Sequence, residues 1–302
     1  MSLPRPAACA SASRASRYVV VTPVRDEARH IGRTFESMLA QTLLPVQWVI
    51  VDDGSADGTG ELVDRFAAEH SWINAVHRRD RGYRAAGGGV VEAFGAGYAI
   101  VRHDWDFVVK LDGDLSFDND YFERCLAHFE ADPRLGIGGG TVCRVENGRV
   151  RIDSPGDPRF HVRGATKIYR RACWMRIAPL VAAPGWDTID EVRANQQGWV
   201  TRTFGDVTLI QHKPTGAAEG RWRDAFKNGR ANYQAGYHPL FMLAKCVRRA
   251  ARRPFLVESS ALAAGFCSCY VKRLPQQAGK DSIRYLRSQQ MRRLLMQPSI
   301  YG

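Results

Sequence analysis

The chain has 302 residues, of which 45% are hydrophobic and 25% charged, a composition typical of a globular protein with a substantial core. Lys and Arg number 43 against 31 Asp and Glu, so the net charge of +12 favours anionic partners: nucleic acid, acidic lipid or a phosphorylated substrate. The seven cysteines lack metal-finger spacing and are typical of reduced thiols in a cytosolic protein. No run of 18 apolar residues occurs, so we expect no simple membrane span.

The first 17 residues are rich in Ala, Ser and Arg and contain no acid. Their composition resembles that of a transit peptide, but the apolar segment of a secretion signal is missing. Chain termini are often loosely held, so we predict that residues 1–17 form a disordered tail.

A repeated strand and helix pattern follows the tail. Residues 18–23 and 47–51 are continuous apolar runs that predict buried strands. Apolar spacing predicts a helix over 31–41, and 57–59 can open another. This order predicts an open α/β sheet, in which ligands bind beyond the carboxyl ends of the strands. The polar side chains expected there are Thr22, Asp26, Glu27, Asp52 and Asp53.

A third apolar run, residues 107–111, ends abruptly in Asp112-Gly113-Asp114. Two carboxylates so close together repel each other unless a cation compensates them. Mg²⁺ typically binds one or two carboxylates together with substrate phosphates. The alternative is a solvated Asp-Gly turn without a ligand.

The segment before this strand, residues 78–89, combines arginines with three consecutive glycines. Glycine lets the backbone approach a ligand closely, and Arg81 and Arg84 can pair with a diphosphate. The spacing is neither a Walker loop nor a dinucleotide fingerprint. A flexible loop followed by a helix over 90–101 is the alternative.

The second half continues the mixed pattern. We predict a helix over 118–130, a glycine-relaxed strand over 137–142, strand and loop over 161–171, a helix over 192–197 opened by a turn at 184–188, and a strand over 201–210. Asp187 lies at the opening of that helix, where an acid is also favoured simply by the helix dipole. His212 follows the last strand and is either structural or a metal ligand.

The amino-acid composition changes after residue 216, where Lys and Arg recur between apolar residues. A basic amphipathic helical region can lie on an anionic membrane face. The alternative is a helix pair that packs on the preceding domain and exposes a solvated basic face. We therefore divide the chain into the tail, an α/β domain over 18–215, and a basic helical region over 216–302.

Taken together, these pieces resemble inverting glycosyltransferases of family 2, which have the GT-A fold, a Rossmann-like α/β fold whose mixed sheet is flanked by helices. The resemblance covers residues 18–212. It rests on the segments 21–27, 51–55, 111–114, Gly164-Ala165 with 169–171, and 185–187 ahead of Gly198-Trp199. Their order and intervals make the combination specific.

The resemblance implies roles for individual residues. The nucleotide-sugar would contact Thr22, Pro23, Arg25, Glu27, Asp52, Asp53, Arg81, Arg84, Lys110, Asp112 and Gly113. The acceptor or donor-sugar side would be formed by Gly164, Ala165 and Trp186. Asp114 would bind a divalent cation, Mg²⁺ or Mn²⁺, together with Asp112 and His212. Asp187 would be the catalytic base, with Asp190 and Glu191 as alternatives.

The chain departs from the family pattern in three places. The family usually has Glu-Asp where Trp186-Asp187 stands, and often Tyr-Asn where Arg25-Asp26 stands. The Gln-x-x-Arg-Trp motif of processive synthases lacks its Gln before Arg221-Trp222, which favours addition of a single sugar.

These observations predict a metal-dependent inverting glycosyltransferase that uses a UDP- or dTDP-sugar and a glycan or lipid-linked acceptor. We expect it in the cytoplasm, at the inner face of a membrane, without a nucleic-acid partner. A sugar-phosphate nucleotidyltransferase is one alternative, but it would need a glycine-rich loop after the first strand. A non-catalytic basic protein that binds RNA or membrane is another, although acids rather than aromatic residues and cations cluster at the strand ends.

Overall fold

The computed structural model of the chain describes residues 16–83, 87–213, 220–250 and 256–302. The strands are β1 (Tyr18–Val24), β2 (Gln47–Asp52), β3 (Ile73–His77), β4 (Phe107–Leu111), β5 (Leu115–Phe117), β6 (Leu135–Glu146), β7 (Arg149–Ile152), β8 (Thr166–Arg170) and β9 (Val200–Gln211). The helices are α1 (Ile31–Leu39), α2 (Thr59–Glu69), α3 (Gly88–Tyr98), α4 (Tyr121–Ala131), α5 (Arg171–Ile177), α6 (Trp186–Gln196), α7 (Gly220–Gln234), α8 (Pro239–Ala250), α9 (Val257–Val271) and α10 (Lys280–Leu294).

The described strands form one mixed sheet in the order β3-β2-β1-β4-β8-β6-β9-β5, and β7 pairs with the outer part of β6. Strands β3, β2, β1 and β4 are parallel, β8 runs against β4 and β6, and β9 is parallel to β6. The carboxyl ends of β1, β2, β4 and β9 therefore lie at one edge of the sheet, which confirms the predicted mixed α/β architecture.

Helices cover both faces of the sheet, so the central strands are buried on both sides. Neighbouring residues of one strand belong to different apolar clusters: Val20 and Val109 pack on one face, and Val21 and Val108 on the other. A strand buried on both faces reads as an uninterrupted apolar run. This explains why β1, β2 and β4 were predictable.

Several predicted boundaries differ from the observed ones. The helix predicted over 118–130 begins only at Tyr121, because Leu115–Phe117 pairs with the end of β9 as β5. The segment predicted as strand and loop over 161–171 forms β8 only over Thr166–Arg170, and α5 begins at Arg171. The predicted helix over 31–41 ends at Leu39.

Besides β5, two further strands were not predicted at all. β3 lies at the edge of the sheet with half-exposed residues, and the four residues of β7 are all exposed. Neither has the continuous apolar run of a buried strand, so their sequences gave no clear signal.

Two glycines of the run at 87–89 pack closely against another segment of the chain. Gly87 has a φ of +72°, and a Cβ there would lie 2.7 Å from the Cα of Pro184. A Cβ on Gly88 would lie 3.0 Å from the carbonyl oxygen of Ala182. The start of α3 therefore lies against the segment that precedes α6, and this contact requires glycine.

The described C-terminal residues form α7 to α10, more than the helix pair considered from sequence. Their apolar side chains share a cluster with Ile189 and Val192 of α6. Helices α7 and α9 cross closely, since a Cβ on Gly229 or Gly265 would overlap the backbone of the other helix. Within the described ranges, none of the helices combines the length and apolar character that crossing a membrane requires.

Candidate active site

The candidate site lies at the sheet edge where β1, β2, β4 and β9 end and β8 begins. Register places Val24 beside Asp52 and Leu111 beside Thr166, so the segments that follow or precede them are neighbours. The main-chain N–H of Asp112 donates to the carbonyl oxygen of Ala165 at 2.8 Å. The predicted site segments are thus brought together by the sheet itself.

Three carboxylates, those of Glu27, Asp112 and Asp114, lie close enough to influence each other. Burial, followed by the charges of Asp112 and Glu27, raises the pKa of Asp114 to about 7. Asp114 is 5% exposed, and its carboxylate accepts from Gln211 Nε2 at 3.2 Å. The clustered negative charge is costly unless a cation compensates it.

The Oε2 atom of Glu27 is buried and has no hydrogen-bond partner among the described residues. Its other oxygen accepts from Lys213 Nζ at 2.7 Å. Burial raises the pKa of Glu27 despite that lysine, and Asp112 raises it further. Oxygen donors with unmet charge are what Mg²⁺ and Mn²⁺ prefer, so the residues fit a divalent cation.

His212 is joined to Asp114 through the backbone, because its N–H donates to the Asp114 carbonyl oxygen at 2.9 Å. Its imidazole instead contacts Arg33 Nη1 at 3.0 Å and Ser116 Oγ at 2.8 Å. Burial and then Arg33 lower the pKa of His212, so the ring is neutral, as a metal ligand must be. The described residues contain no group of three or more His, Cys, Asp or Glu side chains arranged to hold a metal.

Lys110 connects Asp112-Gly113-Asp114, which we call the acidic turn, to Gly164 and Trp186. Its buried ammonium group donates to Asp112 Oδ1 and to the carbonyl oxygen of Gly164, and lies 5.7 Å from the ring centroid of Trp186. The residues predicted for the nucleotide-sugar and those predicted for the acceptor or donor-sugar side are therefore contiguous. Gly113 is required by packing, because a Cβ there would lie 2.5 Å from Val24 Cγ1.

Asp187 lies in the first turn of α6 and faces the backbone of Gly164. A Cβ on Gly164 would lie 3.5 Å from Asp187 Oδ2 and 3.0 Å from Trp186 Cζ2. Burial acts to raise the pKa of Asp187, but the positive charges of His161 and Lys167 together outweigh it, and the pKa lies below its ordinary value. The half-buried side chain is thus a carboxylate at neutral pH beside an open backbone segment.

Asp190 and Glu191 lie beneath Asp187, 2% and 0% exposed. The ammonium group of Lys167 contacts Asp190 Oδ1 at 2.7 Å and Glu191 Oε1 at 2.9 Å. Asp190 also accepts from the Tyr169 hydroxyl at 2.6 Å, and Glu191 binds the His161 ring at 2.9 Å. A general base must reach the proton it removes, so this burial favours Asp187 among the three candidates.

The side chains at the ends of β1 and β2 are committed to internal contacts. Thr22 is fully buried, and its hydroxyl accepts from Trp48 Nε1 at 2.9 Å. Asp52 accepts from the Ser55 N–H at 2.9 Å and lies 3.3 Å from His77 Nδ1. Pro23, near the end of β1, is half-buried, and its side chain carries no polar atom.

Asp53 is held by two arginines, Arg78 at 2.6 Å and Arg81 at 2.7 Å to both carboxylate oxygens. Arg25 donates to the Asp53 carbonyl oxygen at 2.9 Å and to the Asp80 carboxylate at 2.7 Å. A diphosphate that pairs with Arg81 would have to share it with Asp53. Arg84 lies outside the described residues.

Sequence reasoning missed Lys167, His161, Gln211 and Lys213. One signal was available: Lys110 interrupts an otherwise apolar strand, Lys167 precedes Ile168 and Tyr169 in β8, and a lysine buried in a strand needs carboxylate partners. Gln211 and Lys213 flank His212 and gave no signal of their own. Their contacts depend on the long-range pairing of β5 with β9.

Comparison with known sequences identifies the family of this chain. Residues 19–174 match the sequence model of glycosyl transferase family 2. The glycosyltransferase AglD of Haloferax volcanii is 29% identical over 66% of this chain and 34% of its own length. The succinoglycan biosynthesis protein ExoA of Rhizobium meliloti is 32% identical over 36% of this chain and 31% of its own length. The matched part is therefore about a third of each of these relatives.

Solved structures share the fold. A mannosyltransferase from Pyrobaculum calidifontis, solved with GDP-Man and Mn²⁺, has a TM-score of 0.58 at 18% identity and covers 87% of this chain and 89% of its own. S. aureus TarS 1-349, solved with UDP, has a TM-score of 0.53 at 14% identity over 85% of this chain and 72% of its own. These are GT-A folds. The chain accordingly contains a glycosyltransferase domain of the GT-A fold and belongs to glycosyl transferase family 2.

Proposed function

We propose that this chain transfers a single sugar, with inversion, from a nucleoside diphosphate sugar to a glycan or lipid-linked acceptor. One observation carries the proposal: both acids converge on Gly164, Asp187 Oδ2 near the position of a Cβ on that residue and Asp112 through Lys110, which also donates to the Gly164 carbonyl oxygen. A sugar held at Gly164 would have both the proposed base and the residues that hold its leaving group close by.

Asp187 is the proposed base. Inverting transfer requires removal of the acceptor hydroxyl's proton during in-line attack on the anomeric carbon, and a carboxylate within hydrogen-bond reach does this. Burial acts to raise the pKa of Asp187, but the positive charges of His161 and Lys167 together outweigh it. The lowered pKa keeps the carboxylate ionised. Gly164 leaves space in front of the carboxylate, where a side chain would intrude.

Asp114 and Asp112 are proposed to hold a divalent cation, with the unpaired oxygen of Glu27 close by. When bound, such a cation neutralises charge that develops on the oxygens of the departing nucleoside diphosphate. Lys110 orients Asp112 through its hydrogen bond, and its own position is set by the Gly164 carbonyl oxygen. For His212 to join these ligands, its ring would have to leave Ser116 and Arg33.

The donor is proposed to carry UDP or dTDP, and the product to belong to a polysaccharide or cell-envelope glycan. Relatives in succinoglycan and poly-β-1,6-N-acetyl-D-glucosamine synthesis support the product class. Structural neighbours solved with UDP, UDP-GlcNAc or GDP-Man support a nucleotide-sugar donor, without fixing the base. The basic C-terminal region supports a setting at the inner face of a membrane.

The test is a panel of nucleotide-sugars scored for Mn²⁺-dependent donor hydrolysis and transfer by the purified chain. We expect release of a nucleoside diphosphate that stops with EDTA and with Asp114→Asn. Asp187→Asn should lose transfer while it still binds UDP with Mn²⁺. Pyrophosphate formed from a nucleoside triphosphate and a sugar phosphate would overturn the proposal in favour of a nucleotidyltransferase. So would full transfer by Asp114→Asn.

A further inference from the structure

Helix α8 is apolar on two sides, but only one side is packed. Met242 and Cys246 are buried in the C-terminal apolar cluster. Leu240, Leu243 and Val247 are 55%, 61% and 65% exposed. Positions three and four apart share one face of a helix, so these three side chains form a stripe. A helix that is apolar all round normally has a partner on each side.

The stripe continues onto the start of α9. Leu256 and Val257 are 65% and 38% exposed, and the N–H of Leu256 donates to the carbonyl oxygen of Ala250 at 3.4 Å. This hydrogen bond places Leu256 beside the end of α8. Five large apolar side chains thus form what we call the α8 face: Leu240, Leu243, Val247, Leu256 and Val257.

The charged side chains of α8 itself are all basic, and of these Lys245 is half-buried against the Tyr237 ring. Helix α8 contains Lys245, Arg248 and Arg249 and no acid, and the two arginines occupy its last turn. Arg248 is exposed next to Val247. The carboxylate nearest in sequence, Glu258, is half-buried. An exposed apolar stripe bordered by cations complements a surface that has apolar depth and negative charge at its boundary.

We propose that the α8 face docks on the surface of an anionic lipid bilayer. Twelve residues are too few to span a bilayer, so α8 would lie in the plane of the headgroups with its stripe in the acyl boundary. The arginines would contact lipid phosphates. The exposed aliphatic stripe beside the exposed Arg248 fits a bilayer surface, which offers apolar depth together with phosphate charge.

This docking would also position the proposed active site, a consequence that rests on the proposed function. Helix α6 carries Asp187 at its first turn, and its Ile189 and Val192 pack in the same cluster as Met242 and Cys246 of α8. The α8 face and the base therefore belong to one packed body. The bilayer would hold that body beside an acceptor anchored in lipid.

The test is sedimentation of the full chain with vesicles of phosphatidylglycerol and phosphatidylcholine in equal parts. We expect binding to these vesicles and little to phosphatidylcholine alone. Leu243→Glu and Val247→Glu should each weaken binding at least about tenfold, since a charge would enter the acyl boundary. Arg248→Ala should weaken it about fivefold, and less at high salt. Val150→Glu, at a 60% exposed position of β7, is the matched control and should bind normally.

Normal binding by Leu243→Glu, or equal binding to both kinds of vesicle, would overturn the proposal. Absence of binding combined with a dimer in light scattering, lost in Leu243→Glu, would assign the α8 face to a second copy of the chain instead. Circular dichroism of each variant excludes unfolding as the cause. None of these measurements uses sugar transfer, so failure of the proposed activity would not be mistaken for failure of docking.

Discussion

The ammonium group of Lys167 lies 2.5 Å from the main-chain oxygen of Asp187. The same nitrogen is paired with Asp190 and Glu191, and all three charged side chains are essentially inaccessible to solvent. The backbone of the proposed base is thus fixed by a buried cation. The two acids that looked like alternative bases hold that cation in place.

Replacement of this cation should be costly. Lys167→Met leaves two buried carboxylates without their partner, and we expect a loss of about 3–5 kcal/mol in the free energy of unfolding. Arg284→Met removes an exposed ion pair with Asp281 and should cost less than about 1 kcal/mol. Urea unfolding of both variants measures the difference. Equal stability of the two would contradict the buried-network interpretation.

Substitution of the proposed base, Asp187, and of its neighbour Asp190 should distinguish an effect on kcat from an effect on stability. Asp187→Asn should lower kcat about 10²–10⁴-fold, because proton removal is lost while the shape is kept. Asp190→Asn should instead act mainly on stability, since its oxygens hold Lys167 and Tyr169. Steady-state kinetics with thermal unfolding distinguishes the two effects. A larger kcat loss in a stably folded Asp190→Asn would transfer the role of base to Asp190.

The pair of His161 and Glu191 predicts a pH dependence of stability. Burial lowers the pKa of His161, but Glu191 outweighs burial and the pKa is raised to about 9. A raised folded pKa gives stability that is complete below the unfolded pKa of about 6.5 and is lost as pH rises through about 9. The loss should reach at most about 3 kcal/mol. Urea unfolding between these pH values measures it, and an unchanged slope in His161→Gln would refute the assignment.

The acidic turn predicts stabilisation by metal and nucleotide. UDP with Mn²⁺ at about 100 times the dissociation constant should add about 2.7 kcal/mol to the free energy of unfolding. Asp114→Asn should abolish the part that depends on Mn²⁺. Differential scanning calorimetry with and without EDTA measures both effects. A shift that Asp114→Asn retains in full would place the metal elsewhere.

Two glycines give a matched test of the turn geometry. Gly113→Ala would bring a Cβ to 2.5 Å from Val24 and should cost about 1–3 kcal/mol and weaken metal binding. Gly95→Ala lies in α3 with nothing within 4 Å and should be neutral or stabilising by up to about 1 kcal/mol. Thermal unfolding with and without Mn²⁺ compares them. Tolerance of Gly113→Ala with full metal binding would show that the turn can shift.

Sequence alone predicted what depends on local pattern. The buried strands β1, β2 and β4 followed from their apolar runs, and the acidic turn followed from its position after one of them. The partners of the charged residues could not be predicted, because Lys167 meets Asp190 and Lys213 meets Glu27 only through the fold. For the glycines at 87–89 the sequence left a ligand contact and a flexible loop open, and the packing of Gly87 and Gly88 against residues 182–184 could not be predicted, because those residues lie far away in the sequence.

The backbone hydrogen bond from His212 to Asp114 also bears on the order of folding. It extends the pairing of Leu115 with Gln211, two residues that lie far apart in the sequence. Such distant pairing closes a long loop and forms slowly compared with local contacts. The acidic turn cannot take its final shape until β9 has been synthesised and has joined the sheet. A nascent chain would thus complete the proposed donor site only after β9 has been made.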